Sequence, residues 1–168
     1  MENTFKFKTG DILHCYRNTL VSKLIKLFTK SKYSHTATIV MCWGQPYVID
    51  VQNNGVQPKP LEYWLKKYKY KFIIARHPQL IKPEDQYARQ AFAKVSVNKY
   101  DYISLLFIHP IYALTGIWLA KGDPDRRKDI CSEYVARLYD LKSPEKYTPK
   151  DMYNYTVNKN FKFYNYKK

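Results

Sequence analysis

Two adjacent strand-like segments, separated by a tight turn, most constrain what this chain can fold into. The segments His35 to Cys42 and Tyr47 to Val51 are rich in β-branched and apolar residues, and Trp43-Gly44-Gln45-Pro46 supplies the turn between them. This pattern predicts a β-hairpin and therefore an antiparallel sheet. Further strands are predicted at Phe5 to Cys15, interrupted by a turn at Thr9-Gly10-Asp11, at Tyr70 to Arg76, and in the tail from Phe161 to Tyr166.

Helical segments occur between these strands without regular alternation. Leu20 to Phe28 repeats apolar residues at helical spacing, with lysines between them. Other helices are predicted from Pro83 to about Val97, from Ile130 to about Tyr139 with Asp129 as N-cap, and from Thr148-Pro149 onward. This order predicts an α+β fold in which an antiparallel sheet packs against helices. Because the chain has 168 residues, 45% of them hydrophobic, residues 1–168 are expected to form a single domain.

The net charge and the cysteine content limit the kinds of function that this chain can have. With 29 basic and 14 acidic residues, the net charge of +15 suggests an anionic neighbour, such as a phosphate-rich polymer, an acidic membrane face or a wall polymer. Three cysteines without a C-x-x-C pair indicate neither a disulfide framework nor a structural zinc site. The start of the chain has no apolar h-region, so the expected compartment is the reducing cytosol.

The segment from Tyr102 to Ala120 carries no charge and is mostly apolar, close to the length that spans a bilayer. Its central His109-Pro110 pair breaks a helix, so we expect a buried or surface-docked helical pair rather than a membrane span. A break is predicted after it, at Gly122-Asp123-Pro124.

Cys131 is a candidate nucleophile because it falls in the first turn of a predicted helix. There the unpaired amides and the helix dipole favour thiolate over thiol, and Arg126, Arg127 and Lys128 add positive potential. The alternative is a small apolar residue in a helix packing face.

His35 is the histidine best placed to serve Cys131, since it lies at a strand edge. An imidazole can take the thiol proton and return it to a leaving group, and a third polar group must orient the ring. On the hairpin's return strand Gln52 would lie directly opposite His35, with Asp50 diagonal to it on the same face. Asp50 is the preferred orienting group and Gln52 the reserve. The remaining histidines, His14, His77 and His109, are expected to be satisfied structurally or exposed.

Several short motifs together resemble one known family, the YiiX-like branch of the permuted papain-fold hydrolases, which are relatives of the NlpC-type cell-wall peptidases. The segments that carry the resemblance are Thr9-Gly10-Asp11-Ile12-Leu13, Ser31-Lys32-Tyr33-Ser34-His35-Thr36, Pro46-Tyr47-Val48-Ile49-Asp50-Val51, Pro60-Leu61-Glu62-Tyr63-Trp64, Tyr100-Asp101 and Cys131-Ser132-Glu133-Tyr134-Val135. The resemblance implies a circularly permuted papain-like domain with His35 as general base, Asp50 as its orienting acid and Cys131 as nucleophile. Relative to the family, residues at about 102–128 are an apolar insertion.

The resemblance also implies a function. We expect a cysteine-dependent hydrolase or acyltransferase that acts on an amide, ester or thioester, with a peptide- or lipid-like amide as substrate. The backbone N–H of Cys131 and a donor from Tyr33, Tyr16 or Ser34 would hold the oxyanion. This chemistry calls for no cofactor and no metal. The insertion could line an acyl-chain pocket, touch a membrane or make an oligomer contact.

A binding module of another class is the alternative. In it, interleaved lysines and tyrosines such as Lys66-Lys67-Tyr68-Lys69-Tyr70-Lys71 engage nucleic acid or an anionic membrane, and the hydrolase site is inert. No helix-turn-helix, ribonucleoprotein or zinc signature occurs, so no specific nucleic-acid partner is expected. Peripheral contact with an anionic membrane is compatible with both the hydrolase and the binding module.

Overall fold

The fold is built on an antiparallel sheet. The computed structural model describes residues 5–68, 71–95, 99–101, 104–117, 119 and 128–166. Within them, six strands form one sheet in the order β4-β3-β2-β1-β5-β8, and all neighbours are antiparallel. The strands are β1 (Ile12–Tyr16), β2 (His35–Cys42), β3 (Gln45–Gln52), β4 (Gly55–Pro60), β5 (Lys71–Arg76) and β8 (Lys162–Asn165). A separate short parallel pair joins β6 (Lys99–Tyr100) to β7 (Lys128–Asp129).

The helices occur between the strands in an irregular order, as the sequence predicts for an α+β fold. They are α1 (Leu20–Thr29), α2 (Leu61–Lys67), α3 (Glu84–Ala93), α4 (His109–Thr115), α5 (Cys131–Leu138) and α6 (Pro149–Asn158). Thr148 caps α6 through its side chain, which accepts from the Asp151 backbone, and Pro149 opens the helix. The predicted starts of α1 and α6 are confirmed.

The sheet is covered on both faces, and strand alternation divides its side chains between two cores. One core contains Ile12, Val40 and Ile49 together with side chains of α3, α5 and α6. The other contains Leu13, Ala37, Val48 and Trp64 of α2, among others. Because successive residues of a strand point to opposite faces, His35 and Asp50 belong to the α2 side. Cys131, at the start of α5, packs in the opposite core.

The β2–β3 hairpin confirms the predicted turn. Cys42 pairs with Gln45 and Thr38 with Ile49, so the turn is centred on Trp43 and Gly44. Both turn residues have left-handed backbone angles, with φ of 49° and 74°, which a two-residue turn of the primed type requires.

The opening strand is shorter than predicted. The prediction of strand from Phe5 was wrong because residues 5–8 precede a turn in which the Lys8 N–H donates to Asp11 Oδ2 at 2.9 Å. The buried Asp11 carboxylate in turn accepts two hydrogen bonds from Arg76 on β5, each 2.7 Å. The Thr9-Gly10-Asp11 turn therefore fixes where β1 begins beside β5.

Two predicted helix ends also require correction. Asp129 is not the N-cap of α5. It lies in β7, and its carboxylate accepts from Arg137 Nε at 2.7 Å and pairs with Lys94 at 3.4 Å. Ile130 occupies the cap position, where its N–H donates to Glu133 Oε2 at 3.1 Å. Helix α3 ends at Ala93 rather than near Val97.

The apolar insertion contains a π-helical turn, Ser104–Ile108, followed directly by α4. The change from one to the other falls at His109-Pro110, where the sequence predicts a break. In the part of the chain that is described, no helix is both long and apolar enough to cross a membrane. The predicted break at Gly122-Asp123-Pro124, and Arg126 and Arg127, lie outside the described residues.

Candidate active site

His35 and Asp50 form a tight buried pair at the start of β2. His35 Nε2 lies 2.6 Å from Asp50 Oδ1, and both side chains are buried. The hairpin register places Asp50 diagonally across from His35 on the same face, and the aspartate side chain spans that diagonal. Because Nε2 faces the carboxylate, Nδ1 is the ring nitrogen available to a second partner.

Two further donors hold the second oxygen of Asp50. Trp64 Nε1 donates to Asp50 Oδ2 at 2.9 Å, and Gln52 Nε2 also donates to Oδ2. Burial alone raises the pKa of Asp50, but the charge and hydrogen bond of His35 and the bond from Trp64 hold it well below its ordinary value. Asp50 is therefore a fixed negative charge behind the imidazole, and Gln52, the reserve orienting group, supports it instead of replacing it.

Cys131 opens α5 and meets His35 from the other side. Its thiol lies close enough to His35 and to the backbone of Thr36 for both to act on its ionisation. The position at a helix start gives it the favourable end of the helix dipole. The structure thus brings together Cys131, His35 and Asp50, the three residues that the sequence singles out.

Electrostatics favour an ion pair between thiol and imidazole. Burial raises the pKa of the Cys131 thiol, but His35, the Thr36 backbone and Arg17 together hold it below its ordinary value. Burial and Arg17 lower the pKa of His35, whereas the Cys131 and Asp50 charges raise it, and the balance lies above the ordinary value. Both shifts favour thiolate beside imidazolium, the reactive form of such a pair.

Cys15 provides an internal comparison. It pairs with His35 across the sheet, yet burial, followed by the charge of Asp50, raises the pKa of its thiol well above the ordinary value. A buried cysteine close to the same groups is therefore held as a neutral thiol. The lowered pKa of the Cys131 thiol comes mainly from its interaction with His35.

The site is closed in this conformation. Cys131 and His35 are each only 1% exposed. A substrate carbonyl can therefore reach the sulfur only after neighbouring side chains move, which differs from the open groove typical of a hydrolase.

The residues predicted to contact substrate lie next to one another beside this site. Tyr16 Oη donates to Tyr33 Oη at 3.3 Å, and Ser34 Oγ accepts from the Arg17 N–H at 3.2 Å. The Ser34 N–H donates to the Cys15 carbonyl, which ties the loop before β2 to the end of β1. Tyr33 and Ser34 are buried, so their first role is to shape this corner of the sheet.

Arg17 and Trp64 are site residues that the sequence reasoning missed. Arg17 follows β1, and its positive charge acts on Cys131, His35 and Asp50. Trp64 falls in the Pro60-to-Trp64 segment that resembles the family, which was the available signal. No signal in the sequence identified Arg17, because a single arginine after a strand is common on protein surfaces.

The other histidines have structural surroundings. His14 is buried, its Nε2 lies 3.1 Å from Thr156 Oγ1, and burial lowers its pKa to about 3. His109 Nε2 lies 3.2 Å from Glu133 Oε1, and Glu133 also caps α5. His109 thus anchors the insertion to the helix that begins with Cys131.

Replacing Trp64 with phenylalanine should destabilise the protein by about 1.5–3 kcal/mol near neutral pH, because it removes a hydrogen bond to a buried carboxylate while keeping most of the ring packing. The folded-state pKa of Asp50 is lowered, so this deficit is complete above the unfolded pKa of about 3.9 and shrinks as the pH falls below it. Urea unfolding at several pH values measures it. Trp43→Phe is the control, since Trp43 is exposed; equal effects of the two variants would contradict the prediction.

Replacing Arg17 with glutamine should raise the pKa of Cys131 and also that of His35, because a positive charge that acts on both is removed. The pH dependence of thiolate absorbance measures the first shift. Lys23→Gln removes the same charge from the exposed side of α1 and should leave the thiol pKa unchanged. The same Cys131 pKa in wild type and R17Q would refute this role for Arg17.

Comparison with known proteins identifies relatives of unknown activity. No family model matches the chain. Over 97 residues, which make up 56% of this chain and 48% of the relative, it is 32% identical to an uncharacterized protein, YiiX of Escherichia coli strain K12. The match therefore spans about half the length of that curated relative.

A solved structure shares the fold. The crystal structure of metalloprotein YiiX from Escherichia coli O157:H7 is similar with a TM-score of 0.56 and 21% identity, covering 89% of this chain and 93% of that one. The chain is thus similar to YiiX in part of its sequence and in its fold.

That YiiX structure is of a metalloprotein, which raises the question of whether the present chain can hold a metal ion. Among the residues described here, no group of three or more His, Cys, Asp and Glu side chains is arranged to hold a metal ion. The chemistry proposed below uses no metal.

Proposed function

We propose that this protein is a cysteine-dependent hydrolase or acyltransferase with a circularly permuted papain-like fold, formed by residues 1–168 as one domain. The observation that carries the proposal is the buried chain of contacts from Cys131 through His35 to Asp50. A thiol with a lowered pKa, a base and a buried acid behind the base are the parts that nucleophilic acyl transfer needs.

The reaction proceeds through a covalent acyl-enzyme. The Cys131 thiolate attacks the carbonyl carbon of an amide, ester or thioester, and the tetrahedral oxyanion collapses as the bond to the leaving group breaks. Protonated His35 gives its Nδ1 proton to that leaving amine, alcohol or thiol. Water, or a second acceptor, then loses a proton to His35 as it attacks the thioester, and Cys131 leaves as thiolate.

The groups around the pair have separate tasks in this mechanism. Asp50 keeps the imidazole in one orientation and stabilises its charged form. The backbone N–H of Cys131, one of the amides without an intrahelical acceptor at the start of α5, is a donor for the oxyanion. Tyr33, Tyr16 and Ser34 are the candidates for the second donor, and Arg17 adds positive potential where negative charge develops.

Trapping the acyl-enzyme tests the proposal. The full chain is incubated with activated acyl esters of short and long chain, and peptide mass mapping locates the added acyl group. We expect the adduct on Cys131 in wild type and in Cys42→Ala, which removes the partly exposed cysteine. An adduct confined to Cys42, or none on Cys131 with any ester, would argue against the proposal.

A second function is favoured by the burial of the pair. If the site never opens, Cys131 and His35 serve the core, and the protein is a basic binding module for an anionic membrane or nucleic acid. Iodoacetamide separates the two functions. Labelling of Cys131 in the folded protein below pH 8, faster than that of Cys15 or Cys42, supports the enzyme, whereas labelling of Cys131 only after unfolding supports the binding module.

A further inference from the structure

One face of the molecule exposes large apolar side chains from two packed helices. On α1, Leu20 is 80% exposed and Leu27 69% exposed, and Leu24 lies between them. On the insertion, Leu114 is 73% exposed, and Ile111 is also exposed. Helices α1 and α4 pack against each other. We call the surface formed by Leu20, Leu24, Leu27, Ile111 and Leu114 the α1–α4 face.

The apolar residues of this face follow helical spacing. Leu20, Leu24 and Leu27 are at positions i, i+4 and i+7, so they form one stripe along α1. Lys23 and Lys30 are exposed on the helix surface beside this stripe. The buried side of α1 contains the polar Ser22 and Thr29, so the helix directs its apolar stripe outward.

A pocket opens between the two helices of the face. It is apolar and small, about 40 Å³, and is lined by Val21, Leu24 and Phe28 of α1 together with Pro110 and Ile130, among others. Ile130 directly precedes Cys131 in the chain. The two helices therefore leave a small apolar depression between them.

The charged residues of the segments that carry the face have a single sign. Between Asp11 and Asp50 the sequence has no acidic residue, and this stretch contains five basic residues: Arg17, Lys23, Lys26, Lys30 and Lys32. The segment from Tyr102 to Ala120 carries no charge. An apolar stripe bordered by lysines is the pattern of a helix that lies in the interface of an anionic bilayer.

We propose that the α1–α4 face docks this protein onto the surface of an anionic lipid bilayer. The leucine and isoleucine side chains enter the acyl boundary, and Lys23 and Lys30 contact lipid phosphates. Helix α1 carries basic residues and no acidic residue. This charge is complementary to a negatively charged surface and would repel a second copy of the same basic chain. The proposal does not depend on the chemistry of Cys131.

Vesicle co-sedimentation tests it with the full chain. Vesicles of phosphatidylcholine alone are compared with vesicles that also contain phosphatidylglycerol, at low and high salt. We expect binding to the anionic vesicles that weakens with salt. The triple variant Leu20→Ser, Leu27→Ser, Leu114→Ser should lower partitioning by at least about tenfold. The double variant Lys23→Gln, Lys30→Gln should reduce the preference for anionic lipid.

Two controls make the outcome specific. Trp43→Ser removes a side chain that is 91% exposed on the β2–β3 turn and should bind like wild type. Cys131→Ala should also bind like wild type, so loss of the enzyme reaction and loss of docking are told apart. No binding to anionic vesicles, or equal binding by the triple variant, would refute the proposal. Sedimentation velocity that shows a wild-type dimer abolished by the triple variant would assign the face to self-association and overturn it.

Discussion

Replacing Cys131 with alanine should abolish turnover of every amide, ester or thioester substrate, with a loss on the order of 10⁴-fold or more. The sulfur is the only atom of the protein that bonds to the acyl group in the proposed mechanism, and neither His35 nor Asp50 can take its place. The measurement is the steady-state rate with the activated ester that gives the strongest acyl adduct.

The folding of this variant should be nearly unaffected. Removing one buried sulfur costs about 1 kcal/mol, which corresponds to a fall in melting temperature of about 2–4 °C for a chain of this size. Cys15→Ala is the matched control, because Cys15 is equally buried but holds a neutral thiol. It should lose similar stability and keep its turnover. Turnover by Cys131→Ala at the wild-type rate would remove Cys131 from the mechanism.

The second large effect is expected for Asp50→Asn, which should lower kcat/KM by about 10³–10⁴-fold. The amide keeps the size of the side chain but removes the charge that favours imidazolium. The amide can also donate an N–H to His35 Nε2, which places the proton of the neutral ring on Nδ1 instead of Nε2. With that charge gone, the pKa of His35 falls.

The pH profile reveals this change separately from the rate. Activity in the wild type needs thiolate on Cys131 and a proton on His35, so it rises through the lower pKa and falls through the higher one. Asp50→Asn should narrow this window from its upper side, because the pKa of His35 falls. Gln52→Ala removes a donor to Asp50 but leaves its charge, so it should cost far less. An Asp50→Asn profile with the wild-type width would contradict the orienting role.

The sequence predicted most of the sheet because its signals are local. The hairpin turn at Trp43-Gly44 determined both the pairing of β2 with β3 and the face shared by His35 and Asp50. The choice between Asp50 and Gln52 stayed open, because it depends on how far each side chain reaches across the diagonal. In the folded chain the two residues act together, Asp50 on the ring and Gln52 on Asp50.

The contacts that the sequence missed come from distant elements. Trp64 reaches Asp50 only because α2 packs across β3, and Arg17 reaches the pair from the end of β1. Asp129 has the residue type of an N-cap, but Arg137 and Lys94 lie close enough to take its carboxylate, and Glu133 serves the helix start instead. Such competition between partners cannot be seen before the chain is folded.

The near-complete burial of Cys131 and His35 also could not be predicted from the sequence. Cysteine and histidine in strand and helix positions fit a covered site as well as an open groove. The local pattern is the same in both, and the difference lies in which side chains pack above them.

The ultraviolet absorbance of the Cys131 thiolate tests the central claim most directly, because it reports ionisation even when the sulfur is covered. The difference between wild type and Cys131→Ala is recorded as the pH is raised through the range in which the fold is stable. A thiolate already present well below the ordinary cysteine pKa of about 8.5, and lost in His35→Ala, is the predicted result. A thiolate that forms only above that pKa, with or without His35, would contradict the account.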